Sequence, residues 1–195
     1  MIIMKAKLII PILLLGLFAC QNAPSWQSQP IADWPPNEGQ YSLLVAKKGN
    51  IVKAYSVRDL TRHEVVNDEL DGTPIFAAYC ILADLSAIYT RTYGDKEFTF
   101  AVSGYTYYDP KIWNGLDGFI LWDRETESLW WPLIDQAVSG DLKGVKLQKL
   151  DDALWEDTTW AKIKKQYPQA MIMKSGLDYE RPSSWKSYDD VSEIV

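Results

Sequence analysis

The chain is poor in the residues that usually advertise chemistry. It has two cysteines, Cys20 and Cys80, and one histidine, His63. Two cysteines cannot build the disulfide framework of a small secreted scaffold, and together with one histidine they fall short of a four-ligand structural zinc site. Ala83 stands where a second thiol would make a Cys-x-x-Cys couple with Cys80, so that redox pair is excluded. No run of basic residues occurs, and the formal net charge is -6, which argues against nucleic acid and anionic lipid headgroups as charge partners. There is no glycine-rich phosphate loop, no Gly-x-Ser-x-Gly elbow and no His-Glu-x-x-His pair. Asp109, Asn114 and Asp117 lack the spacing of a calcium loop.

Long apolar stretches are also missing, except at the start. Lys5 and Lys7 precede the apolar stretch Leu8 to Leu15, and the segment ends Leu17-Phe18-Ala19-Cys20. Residues 1–19 read as a secretory leader, too short for a comfortable spanning helix. A small residue directly before the cysteine resembles a bacterial lipobox, which implies that Cys20 is lipidated and becomes the mature N-terminus. An ordinary secretory signal or a membrane anchor is the alternative. Loss of the two lysines takes the formal charge from -6 to -8. Gln21 after the cysteine implies, by the sorting rule of such lipoproteins, the outer membrane facing the periplasm. The membrane, through the lipid, is then one partner; a small-molecule or protein partner is left unspecified. Residues 20–40 carry the lipidated cysteine and a Gln-, Ser-, Pro- and Asn-rich stretch without period, read as a flexible tether. Residues 41–175 form one globular domain and 176–195 an irregular polar tail.

What the chain does have is aromatics: nine Trp, eleven Tyr and five Phe, enough for an aromatic core and for exposed stacking platforms. Short strands are predicted over 41–46, 51–55, 86–93, 97–102, 119–122 and 128–131, with 171–173 returning to a sheet. Residues 104–118 read as a long loop, and 137–139 with 145–150 as a last hairpin. A helix capped by Ser56 runs to about Arg62, and a second, capped by Asp157 or Thr158, runs to Tyr167 before Pro168. The sum is an α+β, mostly β domain whose short antiparallel strands and hairpins form a sheet or a partly closed barrel, with two short helices.

Asp71-Gly72 is the sharpest local signal. A two-residue Asp-Gly loop favours a type I′ turn and fixes the register on both sides of it. Every cross-strand pair then sums to the same number: Leu70 faces Thr73, Asn67 faces Phe76, Val65 faces Ala78 and His63 faces Cys80. A His63–Cys80 pair of the closer type would set the two side chains about 4.5–5.5 Å apart at Cβ. An imidazole beside a thiol can lower its pKa or share a soft metal, so Cys80 and His63 are the candidate reactive or metal-binding pair. The bland reading is a buried apolar thiol and a structural histidine.

His63-Glu64-Val65-Val66-Asn67-Asp68, Gly72-Thr73-Pro74, Tyr79-Cys80, Val102-Ser103-Gly104, the stretch Trp122 to Trp130, Gly140 to Gly144 and Thr158-Thr159-Trp160, in this order, resemble the bacterial family catalogued as domain of unknown function 3179. The resemblance covers about residues 41–175. It implies a site holding His, two Cys and Met, suited to copper or haem. Here Ala83 and Leu121 replace one Cys and the Met. Arg58, Asn67, Asp68, Asp84, Asp123 and Arg124 complete the candidate set, with ion pairs or turn caps as their plainer explanation. These observations lead to an expected envelope lipoprotein that binds rather than catalyses. Alternatives are a reduced copper, haem or thiol site at Cys80 and His63, and a carbohydrate-binding surface using exposed Trp such as Trp113.

Overall fold

The structure, a computed structural model, describes residues 26–33, 42–112 and 117–174. The leader, Cys20, Trp34, Trp113, Asn114 and the tail at 176–195 lie outside the described residues.

The described chain is mostly strand, and its architecture is a stack of sheets. The first sheet has the order β1-β15-β3-β2-β14, from β1 (Gln27–Pro30), β15 (Met171–Lys174), β3 (Ile51–Ser56), β2 (Ser42–Lys48) and β14 (Trp155–Thr159). The second has the order β13-β6-β5-β4, from β13 (Gln148–Lys149), β6 (Leu85–Thr90), β5 (Thr73–Cys80) and β4 (Val65–Leu70). The third has the order β12-β11-β10-β9, from β12 (Gln136–Ser139), β11 (Leu129–Trp131), β10 (Gly118–Asp123) and β9 (Phe100–Tyr107). A small hairpin joins β7 (Thr92–Tyr93) to β8 (Lys96–Glu97). Among the described residues no sheet closes into a barrel, and pairing is antiparallel except between β15 and β3. The expected helices are present as α1 (Val57–His63) and α2 (Trp160–Gln166).

The second sheet is the centre. In the run Ile75-Phe76-Ala77-Ala78 every residue is buried, as a strand covered on both faces requires. Alternation then divides the side chains. Ile75 and Ala77 meet Leu44, Ala46 and Tyr55 of the first sheet, with Leu60 of α1. Phe76, Ala78 and Cys80 meet Phe100, Phe119, Leu121 and Trp130 of the third. The outer face of the first sheet, with Leu43, Val45 and Ala54, is covered by Trp160 and Ile163 of α2.

The predicted register of β4 and β5 holds from Leu70–Thr73 to Val65–Ala78, and both Asp71 and Gly72 have the positive φ of a type I′ turn, 48° and 75°. Other expectations are corrected. Gln27–Pro30 of the expected tether pairs with Met171–Lys174, and Ile31 is fully buried with its N–H donating to Ala170 O at 2.9 Å, so the domain begins by Trp26. The strand β9 runs through to Tyr107, taking residues 104–107 of the expected loop. The expected last hairpin is present in short form, with Gln136 facing Lys146 and Ala137 N donating to Val145 O at 2.9 Å; its second arm then leaves as β13 to join β6 of the central sheet, where Leu147 and Leu150 are buried. Asp157 and Thr158 lie in β14, and α2 starts one residue later, capped by Thr159, whose Oγ accepts from Lys162 N.

Candidate functional site

The residues singled out from the sequence do not converge. His63 and Cys80 are not a strand pair. The helix α1 continues through His63, and Glu64 closes it in the left-handed region at φ 57°, its N–H donating to Leu60 O at 2.7 Å. Residue pairing starts at Val65; beyond it one ladder bond remains, Tyr79 N donating to Glu64 O at 3.0 Å, and the left-handed turn at Glu64 then carries His63 away from the strand. Cys80 instead faces Leu85 and is fully buried in the core between the central and third sheets. The His63 ring lies edge-on to Trp26, centroids 5.3 Å apart, and Trp26 packs on the core of the opposite sheet face. Burial, partly offset by nearby Asp59, lowers the His63 pKa. Ala83 packs against the same core as Cys80, and Leu121 is fully buried there. Among the described residues no group of three or more His, Cys, Asp and Glu is placed to hold a metal ion.

The other candidates have structural duties. Asn67 bridges two sheets: its Nδ2 donates to Phe100 O at 2.7 Å and its Oδ1 accepts from Phe100 N at 2.9 Å. Asp68 accepts from Tyr55 OH at 3.0 Å and pairs with Lys53 at 2.7 Å. Asp84, at φ 47°, accepts from Tyr79 OH at 2.9 Å. Burial and this bond to Asp84 raise the Tyr79 pKa. Arg58 sits in the first turn of α1, its carbonyl accepting from Thr61 Oγ1. Asp109 caps its own turn, accepting from Lys111 N at 2.9 Å, and Asp117 is exposed.

Asp123 and Arg124 do build something. Asp123 is fully buried at the end of β10. One carboxylate oxygen accepts from Thr126 N and Oγ1 at 2.6 and 2.8 Å; the other accepts from Trp130 Nε1 at 2.8 Å. These bonds shape the turn from Asp123 to Ser128, and with it the positions of Arg124 and Glu127. The Glu127 N–H donates to Asp123 O at 3.0 Å while Glu127 adopts φ 56°. The pairing Trp122–Leu129 alternates with the buried pairing Leu121–Trp130, so Trp122 and Leu129 face outward. Beside them runs β9, with Ser103 and Tyr105. Ser103 Oγ donates to Ile120 O at 2.5 Å and accepts from Tyr105 N at 3.1 Å, and Gly104 takes φ 77°, a conformation a side-chain-bearing residue rarely adopts. Ser103, Tyr105, Trp122, Glu127 and Leu129 line an open groove of about 300 Å³. Tyr105 is 71% exposed at its rim, and the Arg124 guanidinium stands 5.7 Å from the centroid of the Trp122 ring. The groove thus offers two aromatic rings, a carboxylate and a hydroxyl, with a guanidinium at the margin.

In the sequence Val102-Ser103-Gly104 and Trp122 stand as separate stretches, and Tyr105, Glu127 and Leu129 carry no signal of their own. The joining signal was the alternation across Leu121-Trp122 and Leu129-Trp130, in which one aromatic or aliphatic side chain of each pair must point out.

By its fold and surface the molecule belongs to the class of mostly β, α+β domains built as stacked sheets, with an open aromatic groove on an outer sheet face. The chain is a member of the family described as "Protein of unknown function (DUF3179)", which it matches over residues 22–193. The match takes in the segment before β2 and residues after β15, in keeping with the pairing of β1 and β15 and wider than the resemblance over 41–175. Neither the curated proteins nor the solved structures include a match to this chain.

Proposed function

We propose that this protein is a non-enzymatic binding protein, held at the outer membrane by lipid on Cys20 and facing the periplasm. Its ligand surface is the groove of Trp122, Tyr105, Ser103, Glu127 and Leu129. The ligand class is a saccharide ring: apolar C–H faces suit stacking on the Trp122 and Tyr105 rings, and ring hydroxyls suit the Glu127 carboxylate and the backbone around Ser103. The observation that carries the reading is the outward Trp122 between the charged groups of a turn that buried Asp123 holds in shape. A volume of about 300 Å³ fits one ring with its neighbours in solvent. A copper, haem or thiol centre is less well supported, because it would need Cys80 and His63 in one place and they belong to opposite sides of the central sheet.

The test is a titration of the full-length protein in detergent with a panel of envelope-type oligosaccharides, followed by tryptophan fluorescence and by NMR. Binding that weakens about tenfold or more in Trp122→Ala and in Tyr105→Ala, with unchanged thermal unfolding, is the expected outcome. A panel without a response, or a response that survives both substitutions, refutes the groove as a sugar site.

A further inference from the structure

One end of the described domain gathers features that the groove does not use. The ring of Trp26, the first of the described residues, meets His63 in the last turn of α1. From there β1 runs antiparallel to β15, Gln27 opposite Lys174. Next to that turn, Tyr79 N donates to Glu64 O at 3.0 Å, and β5 then ends at Cys80. The turn that follows, residues 81–84, projects Ile81 and Leu82 into solvent, 56% and 52% exposed, side by side. The opposite end of the same strands carries the turns Gly49-Asn50 and Asp71-Gly72, joined by Lys48 and Asp71 at 3.1 Å. Trp26, the end of α1 and the Ile81-Leu82 turn therefore share one end of the sheet stack, and Asn50 stands at the other, the length of β3 away, roughly 20 Å.

Chain length then decides what that end faces. Six residue steps separate Cys20 from Trp26. Fully extended they reach roughly 20 Å, well short of what a tether running to residue 40 would allow. Only full extension along the whole length of β3 would bring Cys20 level with Asn50, so acyl chains on Cys20 would set the α1 end nearer the bilayer than the Asn50 end. We infer that the Ile81-Leu82 turn docks on the lipid surface that holds the Cys20 acyl chains, setting its two apolar side chains among the headgroups and upper acyl carbons. The chemistry fits at the level of the turn. Ile81 and Leu82 carry no charge, and acidic Asp84 is turned back to Tyr79 OH at the base of the turn. The inference rests on the lipidated Cys20 of the proposed function. It adds an orientation: the domain lies against its membrane by one defined end and does not swing on a long leash.

The experiment uses full-length protein purified with its N-terminal modification and reconstituted in phosphatidylethanolamine–phosphatidylglycerol vesicles. Leu82→Cys and Asn50→Cys are each labelled with an environment-sensitive fluorophore; both positions lie in surface turns, and the unsubstituted protein controls for labelling at buried Cys80. The expected result is a blue-shifted emission at position 82 that loses most of its intensity to nitroxides on the lipid chains, with a water-like, unquenched probe at position 50. Vesicle-bound protein in which both probes are equally wet overturns the docking and leaves the anchor standing. Protein that lacks acyl mass on Cys20, or that fails to float with vesicles, overturns the anchor and the docking with it.

Discussion

Two networks of identical composition flank the central sheet, and they differ in where their charges sit. On the side of the first sheet, Tyr55 OH donates to Asp68 Oδ2 at 3.0 Å while Lys53 Nζ lies 2.7 Å from Oδ1. On the side of the third sheet, Tyr89 OH donates to Asp135 Oδ1 at 2.8 Å while Lys149 Nζ lies 2.9 Å from Oδ2. Both tyrosines are fully buried. The carboxylates are not alike: the Asp68 and Lys53 side chains are 11% and 23% exposed, those of Asp135 and Lys149 32% and 44%. The same three groups are therefore a partly desolvated ion pair in one place and a screened surface pair in the other. Coulombic attraction and the penalty for breaking it both grow as water leaves, so composition alone does not set what such a network contributes.

The largest consequence concerns Asp68. Asp68→Asn keeps the shape and an acceptor for Tyr55 but leaves the Lys53 ammonium partly buried against a neutral amide. Breaking a well-buried pair costs about 3–5 kcal/mol; with Lys53 partly wet the expected loss is roughly 2–3 kcal/mol in urea unfolding. A loss below about 0.5 kcal/mol would place this network with ordinary surface pairs and erase the contrast.

The register around this network shows how much the sequence discloses. The pairing of Asn67 with Phe76 and Asp68 with Ile75 follows from Asp71-Gly72 alone, because a two-residue turn admits one alignment. Its failure at His63 is equally local in cause: Leu60 is fully buried between two sheets, and holding it there extends α1 by the turn that ends in Glu64. Propensity cannot weigh that tertiary gain. Gln27–Pro30 was illegible for a similar reason. The segment has neither alternation nor β-branched residues, and what makes it a strand is the free edge of β15, almost 150 residues further on. The three-layer stacking leaves one trace in the sequence, the four consecutive apolar residues Ile75-Phe76-Ala77-Ala78 of β5, which suit a strand covered on both faces but do not say by what. The candidate site was not legible, because its five residues come from three strands and a turn, with a bulge in the pairing of β9 with β10 beside them.

A second way to sharpen the comparison is alkaline pH. Burial is the leading cause that raises both tyrosines above the usual pKa of 10, with the adjacent carboxylate next in each case. The folded state therefore holds these protons after the unfolded chain has released them. Their contribution is complete below pH 10 and is lost as pH rises beyond it, at about 1.4 kcal/mol per pH unit for each tyrosine. Tyr55→Phe and Tyr89→Phe should each remove about one such share of the slope between pH 10 and 11, measured by urea unfolding. Equal reductions would locate the difference between the networks in their carboxylates. A clearly smaller reduction for Tyr89→Phe would mean that water reaches that hydroxyl, and the contrast would then extend to the tyrosines.

The smallest effect is expected for Asp135→Asn, and it is the most discriminating. Asp135 has φ 52°, a conformation that asparagine tolerates better than most residues, so the backbone adds little to the cost. The amide oxygen still accepts from Tyr89 OH, and a second acceptor, Pro132 O, lies 3.5 Å away. Lys149 is 44% exposed and recovers hydration when its partner loses charge. All three conditions point to a loss of about 0.5 kcal/mol or less at neutral pH, shrinking further as salt screens the pair. A loss near that of Asp68→Asn, insensitive to salt, would show that the hydrogen bond to a buried tyrosine, and not the exposure of the ion pair, governs both networks.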